Sequence, residues 1–348
     1  MSYRAVLTDP TERKAALLRL WSDNLPVEVD PAAKHRWLYL DAPTGRAEAF
    51  VLEHDNTPVG CAGITVRELW HGDDRLRAAL LADFAINRAH RTVMPALILQ
   101  RSVKRHVEAS FDLSYGFPNA HAVGIHLRTG YHALGELGRY VRVLRHGGYL
   151  ARSYGDSLAA RAAGVAVDTA NLAMQLARAI TPVRARALRW LEDLDVRFDR
   201  LWETARAGFG LVGRRDAAFL RWRFLAQPGH RNRIAALVDR RSDALRAYAI
   251  VGGQRGEMAH LHDVFGDLAS IGDLLLLLVP ALYARGHTAV SVRFLGDPRL
   301  IDILQAHHFS LRDRSRTVIV HEGAHCAIAS SIVRDPGSWY ITDLDEDT

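Results

Sequence analysis

LLADFAINRAHRTVMPALILQRSVKRHVEASFDLSYGFPNAHAVGIHLRTGY, residues Leu80 to Tyr131, is the stretch whose reading decides the fold. LLADFAIN (Leu80 to Asn87) is a run of mostly apolar residues short enough for a strand. A basic loop, RAHRTVMPA (Arg88 to Ala96), follows and opens the helical pattern ALILQRSVKRHVEA. FDLSYGF (Phe111 to Phe117) reads as a second strand. Pro118-Asn119 then introduces another helix, for which Asn119 is a natural N-cap, ending at Thr129-Gly130-Tyr131.

Outward from this stretch, the N-terminal side supplies a strand at YRAVL and an apolar-faced helix from Thr11 to Asp23. A second helix runs from Pro31 to Leu40, with Asp30-Pro31 as N-cap and first helical residue. His54 to Pro58 lies between two apolar runs as a hairpin turn. On the C-terminal side the first unit closes near Arg145, and Gly147-Gly148 breaks the pattern. The expected division is 1–146, an Ala- and Arg-rich helical linker at 147–190, and a second unit at 191–348. That second unit repeats the mix: a helix over RDAAFLRWRFLA (Arg215 to Ala226) and strands at 234–238, 247–252 and 258–265. A helix at 272–284, a strand at 288–294, a helix at 299–307 and a strand at 316–321 follow. The order predicts an α/β (α+β) chain of two similar units, each a mixed, mostly antiparallel sheet flanked by helices.

The chain's 348 residues are 49% hydrophobic and 24% charged, which is ordinary for a globular protein. LLLLLVPAL (Leu274 to Leu282) is the longest apolar run, too short to span a bilayer. The N-terminal residues lack an apolar signal core, and two cysteines imply no disulfide framework, so a cytoplasmic setting is expected. The net charge of +6 suits an anionic ligand or simply reflects an arginine-rich composition. Basic residues are dispersed among acids rather than clustered with aromatics, which argues against nucleic acid as a partner. Of the histidines, His260-x-His262-Asp263, His307-His308 and His321 fix no third ligand, so no metal is expected. Cys61, within VGCAGI, reads as a buried strand residue rather than a nucleophile.

The order strand, basic loop, helix, strand, Asn, helix, Gly-Tyr resembles the acyl-CoA-binding half of the GNAT superfamily of N-acyltransferases. The family loop Arg/Gln-x-x-Gly-x-Gly/Ala maps onto Arg91, Thr92, Val93, Met94, Pro95 and Ala96, with Met94 in place of the central Gly. The resemblance implies that backbone N–H groups here, with Arg88, His90 and Arg91, face the CoA diphosphate at a helix N-terminus. The alternative donor is a carrier-protein thioester, whose single phosphate needs less of that cradle. The acyl carbonyl is expected at the end of the first strand, at Phe84, Ala85 and Ile86. Asp83 is implied as the general base, although Ala82 stands where many members keep a Glu. The family pattern Asn-x-x-Ala-x-x-x-Tyr-x-x-x-Gly falls on Asn119, Ala122, His126 and Gly130. Asn119 is thereby implied as a contact to the pantetheine arm and His126 as the acid that protonates the leaving thiolate.

RDAAFLRWRFLAQP (Arg215 to Pro228), His262-Asp263-Val264 and the terminal WYITDLDED (Trp339 to Asp347) are similar to bacterial tandem-GNAT proteins of polysaccharide and peptide modification. The second unit lacks the loop motif and carries acidic residues at Asp267 to Asp273 instead, so it is expected to be degenerate and to shape the acceptor cleft. The acidic tail is expected to be solvated; the alternative is that it attracts a cationic amine acceptor. The implied activity is acyl transfer, with a medium or long fatty acyl group among the options, to a primary amine such as a peptide Lys or ornithine side chain or an amino sugar. The competing reading is a non-catalytic binder of CoA, a peptide or a partner protein. An aminoacyl-tRNA-dependent transferase of related fold is a more distant option.

Overall fold

The computed structural model describes residues 2–26, 29–146, 162, 164–170, 185–229 and 231–347. The first part of the chain gives β1 (Tyr3–Thr8), α1 (Lys14–Asn24), α2 (Pro31–Lys34), β2 (Glu48–His54), β3 (Thr57–His71) and β4 (Asp74–Ile86). It continues through α3 (Val93–Ser110), β5 (Leu113–Gly116), α4 (Ala120–Arg128) and β6 (His132–Val143). Asp30 caps α2 by accepting from the Ala33 N–H at 2.9 Å, and the helix then widens into a π turn over His35–Leu40. The β2–β3 hairpin turns on Asp55 and Asn56, both in the left-handed region at φ 48° and 64°, a conformation that Asp and Asn tolerate better than most residues.

The later part gives β7 (Arg186–Leu191), α5 (Val196–Ala205), β8 (Leu211–Gly213), α6 (Ala217–Leu220), β9 (Arg233–Asp239), β10 (Leu245–Gly252) and β11 (Ala259–Gly266). After these come α7 (Leu268–Ala284), β12 (Ala289–Gly296), α8 (Pro298–Ala306), β13 (Ser310–Glu322) and β14 (Trp339–Ile341). α6, like α2, runs into a π turn, here over Arg221–Leu225. Two expectations change. Arg186–Leu191 is not linker helix but a strand, paired antiparallel with β9. Residues 164–170 are helical, and most of the remaining linker lies outside the described residues. The acidic tail is not solvated: Trp339, Tyr340, Ile341, Thr342, Leu344, Asp345 and Glu346 are all buried.

The strands form one mixed sheet in the order β1-β2-β3-β4-β5-β13-β6-β12-β11-β10-β9-β7, with β14 and β8 bridging from β12 to β3. The sheet does not stop between the two parts of the chain. β13, from the later part, lies between β5 and β6, and β6 in turn pairs with β12. The π turns lock the same junction. Trp37 donates its indole N–H to the Trp222 carbonyl and Trp222 donates to the Trp37 carbonyl, both at 2.8 Å. The rings stack with centroids 5.3 Å apart. Such reciprocal bonds satisfy two polar groups that would otherwise be costly to bury. No helix among the described residues is long and apolar enough to cross a membrane.

Candidate active site

The site begins where two parallel strands part. β4 pairs with β5 through Ala78–Leu81 and Leu113–Gly116. β5 ends there, while β4 runs on to Ile86. Beyond Leu81, therefore, the β5-facing edge of β4 lacks its strand partner. At the same place the register of β4 against β3 slips, so that Asp83 and Phe84 together oppose a single residue of β3. A bulge of this kind bends the strand and re-aims its side chains. Asp83 carries the consequence as a left-handed φ of 50°.

The bulge turns the Asp83 carboxylate toward α2 and the π turn. Its Oδ1 accepts from the Lys34 ammonium at 2.6 Å and its Oδ2 from the Tyr39 hydroxyl at 2.8 Å. Tyr39 reaches it only because position 63 is glycine: a Cβ there would lie 1.9 Å from the Tyr39 Oη. Burial, with the Asp83 charge alongside, pushes the Tyr39 phenol well above its ordinary value, so it remains a donor. Burial pulls the Lys34 ammonium down, but Asp83, with Asp347 behind it, more than offsets this and the net shift is upward. Cys61 is buried, and burial pushes its thiol up, so it is no nucleophile at neutral pH.

A cavity of about 540 Å³ opens over this group. Gly116, Phe117, Asn119, Ala122 and His126 form the wall on the side of the strand split. Trp21, Pro26, Trp37 and Gln227 also line it, and Lys34, Asp83, Arg316 and Asp347 supply its charge. Asp347 arrives from the tail because two buried arginines hold that segment. Arg215 donates to Asp345 Oδ2 at 2.8 Å, and Arg223 donates to the carbonyls of Asp343 at 2.9 Å and Leu344 at 3.1 Å. Burial raises the Asp347 carboxyl above its usual range, and the neighbouring Asp83 charge adds to the shift.

Four expected residues thus line one cavity: Asp83, Phe84, Asn119 and His126. Asn119 is the cap of α4, its Oδ1 accepting from the N–H groups of His121 and Ala122 at 3.1 Å. His126 is buried edge-on to Phe84 and Tyr131, with ring centroids 5.9 and 5.4 Å away, and its Nδ1 has no partner. Burial drives its pKa down to about 4, so the imidazole is neutral at pH 7.

The loop residues stand apart from the cavity lining. Ala85 and Ile86 belong to the buried core. Arg88 begins a short helical turn, and Arg91 folds back onto the Ile86 carbonyl at 3.2 Å and Asn24 at 3.1 Å. Thr92 is the N-cap of α3 but its side chain makes no capping bond. Val93 and Met94 are exposed on the first turn, and Ala96 is buried. Met94 sits in regular helix without a left-handed φ, so a non-glycine residue carries no backbone strain there. The N–H groups of Val93 and Met94 begin an 18-residue helix, a favourable setting for an anion. Lys34 and Tyr39 were missed by the sequence reading, because each meets Asp83 from more than forty positions away. Asp347 was read only as part of the acidic tail. No group of three or more His, Cys, Asp or Glu able to hold a metal occurs among the described residues.

No family model and no curated relative matches the sequence. Solved structures do. A probable N-acyltransferase of unknown function from Enterococcus faecalis V583 superposes with a TM-score of 0.66 at 11% identity, over 92% of this chain and 72% of that one. A GCN5-related N-acetyltransferase from Anabaena variabilis gives 0.63 at 12% identity over 92% and 73%. Another from Kribbella flavida gives 0.57 at 15% over 92% and 71%. With the split strands, the bulged Asp83 and the helix N-terminus beside them, these likenesses give the chain the fold seen in GCN5-related N-acetyltransferases.

Proposed function

We propose that the protein is an N-acyltransferase, acting in the cytoplasm, that moves an acyl group from a CoA thioester to a primary amine. The observation that carries this reading is the single cavity shared by the strand split and the Asp83 carboxylate. The pantetheine arm lies along the split, with Asn119 and Phe117 beside it. The thioester carbonyl takes a hydrogen bond from a freed backbone N–H of β4 past Leu81. The diphosphate rests on the first N–H groups of α3 and on Arg88, since the Arg91 guanidinium is engaged elsewhere.

The acceptor enters along the wall of Trp21, Pro26 and Trp37. An apolar wall ending in carboxylates suits the methylene stem and ammonium of a Lys or ornithine side chain better than an amino sugar. Asp83 takes a proton from that ammonium, the amine attacks the carbonyl carbon and the C–S bond breaks; the thiolate takes the second nitrogen-bound proton and leaves as thiol, while the proton on Asp83 passes to water. Rate comes mainly from holding both reactants in one orientation. His126 is neutral and serves as a hydrogen-bond donor to the departing sulfur rather than as a full acid.

Calorimetry with CoA, acetyl-CoA and decanoyl-CoA tests the proposal. Micromolar binding, together with amine-dependent thiol release, supports it. Failure of all three to bind turns the reading toward a carrier-protein phosphopantetheine donor, which acetylated acyl carrier protein then tests. A second reading, a ligand-binding pseudoenzyme, is favoured by the Asp83 carboxylate already holding two partners. Donor binding without thiol release for any amine supports that alternative.

A further inference from the structure

The chain holds 45 Lys and Arg residues, yet only three are lysines: Lys14, Lys34 and Lys104. Arginine cannot act as an amine nucleophile, because its guanidinium stays protonated. Lys34 is the one lysine that lines the cavity. Its side chain is 21% exposed, and its Nζ lies 2.6 Å from Asp83 Oδ1. The same cavity is bounded by Gly116, Phe117 and Asn119 at the strand split. An ammonium group of the chain itself therefore stands against the carboxylate, in the place where an acceptor amine has to stand.

Resting on the N-acyltransferase reading above, we propose that Lys34 is itself an acyl acceptor, a self-modification site within the active-site cavity. Asp83 takes one proton from the Lys34 ammonium. The freed lone pair attacks the thioester carbonyl, a C–N bond forms and the C–S bond breaks. The thiolate takes the second nitrogen-bound proton and leaves as thiol, while the proton on Asp83 passes to water. The amide product is neutral, so the ion pair with Asp83 ends and Asp83 keeps Tyr39 as its hydrogen-bond donor. The pair with Asp83 keeps the amine mostly protonated, which slows the step. A thioester held in the same cavity supplies the effective concentration that offsets this.

The other two lysines are built-in controls. Lys14 is exposed at the start of α1. Lys104 lies on α3 and pairs with Glu108 at 3.0 Å. The purified protein is incubated without added amine, once with acetyl-CoA and once with S-acetyl-N-acetylcysteamine, and followed by intact mass and peptide mapping. The expected result is one acetyl group, on Lys34, with Lys14 and Lys104 bare. Lys34→Arg, with its fold checked by circular dichroism, takes up none. Acetyl-CoA that binds by calorimetry while Lys34 stays bare overturns the inference and leaves the acyltransferase reading standing. Labelling of Lys14 as fast as Lys34 also overturns it, as plain solution chemistry. If neither thioester binds or reacts, the reading of CoA as donor fails, and this inference fails with it.

Discussion

β4 with α3 and β11 with α7 are built alike and differ in what is left unpaired. Each strand runs parallel to its neighbour briefly, β4 over four residues and β11 over three. Each then bulges at or beside an aspartate, Asp83 in one and Asp263 in the other. Each aspartate accepts a tyrosine hydroxyl, from Tyr39 at 2.8 Å or Tyr248 at 2.7 Å. There the likeness ends. Asp263 is wholly buried, bonded to Thr342 at 2.8 Å and paired with Arg215 at 3.3 Å. The Tyr340 hydroxyl donates to the carbonyl of Val264, next along β11. At the start of α7, Asp267 already accepts from the Ser270 N–H at 2.8 Å, while the N-cap of α3 makes no such bond. The tail and these carboxylates occupy in one half what the other half leaves open to a ligand, so one supports the sheet and the other faces a cavity.

The sharpest way to break this contrast is Arg215→Ala. It leaves Asp263 and Asp345 buried without their cation, and a loss of about 3–5 kcal/mol is expected in urea denaturation. A stability within 1 kcal/mol of the parent, on the ordinary scale of surface changes, would mean that the second half is not held as described. Asp83→Asn comes next and acts on chemistry rather than folding. Turnover should fall by about 10²-fold or more, with donor affinity retained, read from thiol release at saturating acetyl-CoA. Equal turnover in the two proteins removes Asp83 as the base.

His126 sharpens the comparison through pH. Its folded-state pKa of about 4 lies below the unfolded value of 6.5. Below pH 6.5 the unfolded chain takes up a proton that the folded chain refuses. Its contribution is therefore complete above pH 6.5 and is lost as the pH falls through 4, amounting to roughly 3 kcal/mol. His126→Asn should flatten that part of the stability profile between pH 6.5 and 4, and an unchanged slope contradicts the burial described. The smallest effect is expected at Met94, exposed on the first turn of α3. Met94→Gly should cost about 1 kcal/mol of helix stability and shift CoA affinity less than Arg88→Ala does. A large gain in affinity would show that the side chain obstructs the diphosphate after all.

Local chemistry made much of this legible from sequence. Asp30-Pro31 and Asn119 announce helix starts because their side chains accept from backbone N–H groups three residues or fewer away. The order of elements around Asp83 is carried by hydrophobic patterning and short loops. What escaped notice depends on partners distant in sequence. Lys34 meets Asp83 across 49 positions, and no local signal marks such a meeting. The tail was read as solvated because a run such as DLDED defaults to water. Arg215, just ahead of α6, and Arg223, in the π turn after it, bury it instead. Arg91 matched the loop motif in type, but its guanidinium is spent on Asn24 and Ile86, which type alone does not reveal.

Hydrogen–deuterium exchange with and without CoA tests the central contrast most directly. The account predicts slowed exchange at residues 83–96 and 116–126, with residues 261–272 unchanged. Slowing at the start of α7 instead, or at neither helix with CoA demonstrably bound, would contradict it.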